Sequence, residues 1–225
     1  MELAVLPRRD DEAREHLEQV GSLARPLVLA RERSIELDEQ LGALVPGGAL
    51  TRGSVLRVTG AGATSVTFTL ASAVTAVGEW AAVVELDSTL GALAAAEAGV
   101  ALEQFAVVRR VPPARWATVV AALLEGVSLV VAEVPRGVRL GDARRLIARA
   151  RERETVLVVH ERAASPFGHG AGVWPAEAAL TVRAVGGAWG DLVADGHLTD
   201  RSLRVEVEGR GVAARAVSGE LARAV

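Results

Sequence analysis

Residues 54–67 decide how the chain reads. Ser54-Val55-Leu56-Arg57-Val58-Thr59 is a β-branched run with strand character, and Gly60-Ala61-Gly62-Ala63-Thr64-Ser65 is a turn of small residues. Val66-Thr67 then open a helical stretch that extends to residue 77. The same alternation repeats downstream, with expected strands at 81–86, 105–109, 128–134 and 155–160. Between them lie expected helices at 90–99, 113–125 and 142–153. Unbroken runs of Val, Leu and Ala of this length suit strands covered on both faces, hence parallel neighbours joined by right-handed crossovers. The texture changes after residue 178, where 179–184, 190–194, 202–208 and 212–217 read as short antiparallel strands joined by Gly and Asp turns. The predicted fold is α/β: a mostly parallel twisted sheet flanked by helices and finished by a C-terminal antiparallel β-meander. Upstream, residues 8–24 read as a charged helix with Leu17, Val20, Leu23 and Ala24 on one stripe, ended by Pro26.

The chain has 225 residues, 50% hydrophobic and 24% charged, enough for one core with a short appendage. A formal net charge of −3 gives no general attraction for nucleic acid or an anionic membrane. With no cysteine, disulfides, thiolate catalysis, thiolate metal sites and iron–sulfur clusters are excluded. No run approaches the ~20 apolar residues of a membrane span. The amino terminus turns charged at Arg8-Arg9-Asp10-Asp11, where a signal peptide would need its apolar core. The expectation is a cytoplasmic protein with no membrane partner. Lysine is also absent, so all 25 basic residues are arginines, which removes Schiff-base chemistry and lysine-dependent phosphate sites.

In an open α/β sheet the turn after the first strand is the usual phosphate cradle. Laid over the phosphate-loop pattern G-x-x-x-x-G-K-[ST], the segment Gly60, Ala61, Gly62, Ala63, Thr64, Ser65, Val66, Thr67 keeps the first glycine and the final hydroxyl. Ser65 replaces the second glycine, which lets the backbone curl its amides around phosphates. Val66 replaces the lysine, which supplies positive charge to the β/γ-phosphates. Arg57 or Arg109 could substitute, but nothing in the sequence places either at the loop. The companion site is eroded too. Ala132 stands where a metal-ordering aspartate would end the strand around Leu129-Val130-Val131, and alternation puts Glu133 on the opposite face from it. Glu85 and Asp87 end the second strand and, lacking phosphate and metal ligands beside them, read as solvated strand-end carboxylates. His160, His169 and His197 have no metal-ligand spacing. No catalytic residue, metal site or cofactor is expected; the loop and Glu85, Asp87 and Glu133 read as vestiges.

Three stretches carry a family resemblance: Ile35-Glu36-Leu37-Asp38-Glu39-Gln40-Leu41-Gly42, then Pro46-Gly47-Gly48-Ala49-Leu50-Thr51-Arg52-Gly53-Ser54, then the strand and its degenerate loop. In this order they resemble the entry to a RecA-type core. Val83-Val84-Glu85-Leu86-Asp87 is similar to the strand bearing the RecA glutamate, and His160-Glu161 fall where that family has an Asn-Gln pair sensing the γ-phosphate. The resemblance covers roughly residues 34–217. Within the superfamily, a short chain with a ruined loop is most similar to the actinobacterial ImuA-type proteins. That resemblance implies a non-catalytic accessory factor in SOS-induced error-prone translesion synthesis. Its partners would be an ImuB-type inactive Y-family polymerase homologue and a DnaE-type polymerase, in a homo- or hetero-oligomer. It also implies an N-terminal helical segment at 1–33 for oligomer or partner contact, a core at 34–217 and a tail at 218–225. Two alternatives stay open: an ATP-dependent RecA-like DNA-binding ATPase with an unorthodox loop, and a SulA-like cell-division inhibitor.

In RecA-type proteins the loops after the fourth and fifth strands face DNA, which makes Arg136 and Arg139 candidate phosphate contacts. By the same resemblance Phe167 or Trp174 could stack a base or meet a partner. Arg149, Arg151 and Arg153 alternate with Glu152 and Glu154 and read as a solvated helix face.

Overall fold

The computed structural model describes residues 33–87, 90–162, 172–190, 200–209 and 216–224. Residues 35–225 form one compact unit; the expected helix at 8–24 lies outside the described residues. A small entry region contains β1 (Ser34–Glu36), α1 (Glu39–Gly42), a 3-10 turn (Pro46–Gly48) and β2 (Ala49–Thr51), with β1 paired to β2. The body follows as β3 (Val55–Gly60), α2 (Ala63–Thr75), β4 (Ala81–Glu85), α3 (Ala92–Glu97), β5 (Phe105–Arg109), α4 (Pro113–Leu123), β6 (Leu129–Glu133), α5 (Leu140–Glu152) and β7 (Val156–Glu161). Three longer strands complete it: β8 (Leu180–Trp189), β9 (Asp200–Gly209) and β10 (Val217–Ala224).

These strands make one eight-stranded sheet in the order β10-β9-β8-β3-β7-β6-β4-β5. From β8 to β5 every neighbour is parallel, while β8–β9 and β9–β10 are antiparallel. The run-like apolar composition has the expected cause, since β4 and β6 are buried at every position. Alternation sends Val83, Val131, Val158, Val58 and Val182 into one core beneath Val66, Leu70 and Val74 of α2. It sends Val84, Val130, Ala132, Leu157 and Val159 into a second core against Trp116 and Val120 of α4 and Leu146 and Ala150 of α5. Each such Val or Leu contributes about 1.5–3 kcal/mol of burial.

The α/β class and antiparallel finish are as expected, but the meander is drawn differently. The expected strand at 179–184 is the first half of a longer strand, β8, and the expected strand at 190–194 falls, beyond Gly190, outside the described residues. The Gly186-Gly187 pair does not end that strand, because the ladder absorbs a register shift between Ala184 and Gly186. The expected strand at 212–217 falls largely outside the described residues, and where a tail was expected from 218 onward β10 pairs in register from Val217↔Val207 to Ala224↔Asp200, with Leu221 5% exposed in the first core. A stretch of Gly, Ala and charged residues around one leucine carries little strand signal by itself; the neighbouring β9 supplies it. The helix after β3 also starts earlier than expected, at Ala63.

Gly60 shows how closely the meander is fitted. Its φ is +94°, and a Cβ there would lie 2.0 Å from the carbonyl oxygen of Ala184 on β8. Gly141 of α5 has no heavy atom within 4 Å of such a Cβ and ordinary φ. Urea unfolding is therefore expected to show Gly60→Ala destabilised by at least about 2 kcal/mol, with Gly141→Ala neutral or stabilised by up to ~1 kcal/mol.

Candidate functional site

At the carboxyl end of β3 only Ala61 and Gly62 connect strand to helix. Gly62, at φ +113°, is the N-cap of α2, and the backbone N–H groups of Ser65 and Val66 both donate to its carbonyl oxygen, at 2.9 and 3.3 Å. These are the positions that the phosphate-loop pattern assigns to its second glycine and its lysine. A phosphate cradle needs a run of backbone N–H groups converging on an anion; here the segment has wound into helix and those two amides serve it. Thr67, the retained hydroxyl, is 1% exposed, and its Oγ1 has no hydrogen-bond partner among the described residues.

The meander fills the space beside the loop. Arg201 of β9 donates from Nη1 to Ser65 Oγ at 2.6 Å, and its guanidinium carbon lies 4.8 Å from the ring centre of Trp189 on β8. A Cβ on Gly62 would stand 2.4 Å from Cδ1 of Leu203, which is 3% exposed. The retained Gly60 and its neighbour Gly62 are thus both required by contacts with β8 and β9. Neither arginine considered from sequence reaches the loop: Arg57 lies 3.8 Å from Glu161, and Arg109 lies 3.3 Å from Glu85. A nucleotide is the group this fold implies, and the residues present do not fit its polyphosphate. Two amides are engaged in the helix, a valine replaces the cation and a leucine abuts the glycine; one guanidinium and one buried hydroxyl do not compensate.

The carboxylates also differ from expectation. Register places Glu85 beside Arg109, and Glu133 beside His160, which in turn is beside Val58. The pairing Val84↔Ala132 carries on to put Glu85 next to Glu133. The row Arg109, Glu85, Glu133, His160, Val58 therefore crosses the sheet on the α2 side. Ala132 faces α4 and α5 instead, so Glu133, rather than the position of Ala132, points toward the loop side. Glu85 is 0%, Glu133 3% and His160 5% exposed, which corrects the solvated strand-end reading. Arg162 lies 3.0 Å from Asp87 and 3.6 Å from Glu133. Glu85 accepts from the N–H of Leu90 and Glu133 from that of Leu86, the latter at 2.7 Å. These acids hold the β4–α3 connection and the end of β7 in place. No group of three or more His, Asp or Glu among the described residues is arranged to hold a metal ion.

Of the two loops expected to face DNA, the first leaves Arg136 and Arg139 exposed between β6 and α5. The second is described only at its ends, and Phe167 lies outside the described residues. Trp174 is corrected from a base-stacking candidate to a core residue: 2% exposed, edge-on to Trp116 with ring centres 6.4 Å apart. Its backbone N–H donates to Glu161 at 2.8 Å. Sequence reasoning missed Arg201, Leu203 and Arg162, whose partners lie far along the chain; 136 positions separate Arg201 from Ser65.

Burial, with Arg162 adding to it, holds the His160 pKa down at about 4, from 6.5. Between these values the unfolded chain binds the proton and the folded one does not, so stability falls as pH drops from about 6.5 toward 4. Burial raises the Glu133 pKa, opposed by the Leu86 N–H and Arg162. That contribution has the opposite sign: it is present at low pH and lost as pH rises above the ordinary glutamate range. Denaturant titrations should show the His160 slope, about 3 kcal/mol across its window, flattened in His160→Gln.

The crystal structure of the RadB recombinase superimposes with a TM-score of 0.57 at 13% identity, covering 81% of this chain and 92% of that one, so the fold is RecA-like. The uncharacterized protein Rv3395c of Mycobacterium tuberculosis (strain ATCC 25618 / H37Rv) is 36% identical over 145 residues, covering 63% of this chain and 69% of that protein. The family model for the MT3502 N-terminal domain matches residues 43–165, from the entry region through the degenerate loop, the buried carboxylates and β7. As that match takes in more than half of the sequence, the chain belongs to the MT3502 N-terminal domain family.

Proposed function

We propose that the chain is a non-catalytic RecA-like accessory protein in SOS-induced error-prone translesion DNA synthesis. It acts by protein–protein contact with an ImuB-type inactive Y-family polymerase homologue and a DnaE-type polymerase. The observation that carries the non-catalytic half is the loop: helix from Ala63 onward, with Arg201 on Ser65 and Leu203 against Gly62. The acids at the strand ends support the same reading, because Glu85, Asp87 and Glu133 are each engaged with arginine. The choice of partners rests on the resemblance of the motif order to the ImuA-type proteins. Head-to-tail association of RecA-like subunits would then be governed by the partner rather than by an interfacial nucleotide.

The full chain is expected to co-elute with an ImuB-type protein on size exclusion, unchanged by enzymatic removal of ATP and ADP. Capture of the cell-division tubulin homologue in its place would favour the SulA-like reading. Assembly that appears only with Mg-ATP would favour the ATPase.

A further inference from the structure

On the face of the sheet opposite the degenerate loop, α4 and α5 flank a groove of about 1020 Å³. We propose that it is a docking site for an acidic amphipathic helix of a partner protein. The proposal does not depend on the translesion reading.

The floor is made by alanine methyls of α4, with Ala114, Ala117 and Ala121 at the i, i+3, i+7 spacing of one helix face. Such a floor lets a third helix approach closely. The rim is guanidinium: Arg136 and Arg139 on the β6–α5 turn, Arg145 and Arg149 on α5, against the carboxylates of Asp142 and Glu152. Arg136 and Arg139 are exposed and make no ion pair among the described residues. Arg145 pairs with Asp142 and Arg149 with Glu125, but the Arg145 side chain is 79% exposed, and pairs in water are weak enough to exchange for a partner's carboxylates. On a chain of net charge −3 this is a local positive field, which steers an acidic ligand to one place. Long arginine stems beside an apolar floor suit a helix whose apolar stripe goes down and whose glutamates flank it.

A nucleic-acid strand fits less well. Among the described lining residues the one aromatic side chain, Trp116, is 1% exposed and offers no ring face for a base.

The test is fluorescence anisotropy on the full chain. The probe is a labelled peptide of about 20 residues, some five to six turns, with Leu and Ala along one stripe and Glu on both flanks. A Lys-for-Glu peptide and an oligo-dT strand are titrated in parallel. The Glu peptide should bind saturably and the Lys peptide should not. The double variant Arg136→Glu/Arg139→Glu should weaken binding at least about tenfold, and Ala121→Trp, which fills the floor, should weaken it as much. The charge variant changes only exposed positions, so it keeps the test decisive if the tryptophan variant fails to fold. Absence of saturable Glu-peptide binding overturns the proposal, as does binding unchanged in the charge variant or equal binding of the Lys peptide. Saturable oligo-dT binding lost in that variant, with the peptide unaffected, would assign the groove to nucleic acid instead.

Discussion

The contact of β9 with the turn after β3 is the constraint on which the character of this RecA-like chain depends. Leu203 lies against Gly62, and Arg201 reaches from the same strand to Ser65 while stacking on Trp189. With β8 against Gly60 as well, the turn is shortened to Ala61 and Gly62, and helix begins at Ala63. A loop that would elsewhere hold amides open toward phosphate becomes a helix N-terminus packed by its own sheet. The meander that enforces this begins at Leu180, beyond the span 43–165 matched by the family model.

The acidic row follows a related logic. Parallel pairing places Glu85, Glu133 and His160 side by side on the loop face. Burying carboxylates there without partners would cost several kcal/mol each. Arg109 and Arg162 and the N–H groups of Leu86 and Leu90 offset that cost. The consequence is a cross-linked sheet end, in which charge is compensated internally and the connection after β4 is tied to the end of β7.

Much of the architecture was legible because its signal is local. The Val-rich runs at 55–60, 81–85, 129–133 and 156–161 are strands covered on both faces, and composition alone reports that. The motif order from Ile35 to Glu161 pointed to a RecA-type core without a lysine, and the RadB superposition agrees on the fold. What was not legible depends on partners distant in sequence. Glu85 read as solvated because nothing near it announces Arg109 across the ladder. Glu133 reads as facing away when alternation is referred to Ala132, and only the packing of α2 reveals which face matters. Arg201 and β10 carry no motif; their placement follows from pairing along β9.

The central claim is that the turn from Gly60 to Thr67 no longer serves a nucleotide. Calorimetric titration of the full chain with Mg-ATP from micromolar to millimolar concentration tests it most directly. The account predicts no saturable heat and no change in unfolding free energy at the highest concentration. A saturable isotherm, accompanied by the stabilisation of roughly 2.7 kcal/mol that a ligand at ~100 times its dissociation constant confers, would contradict it.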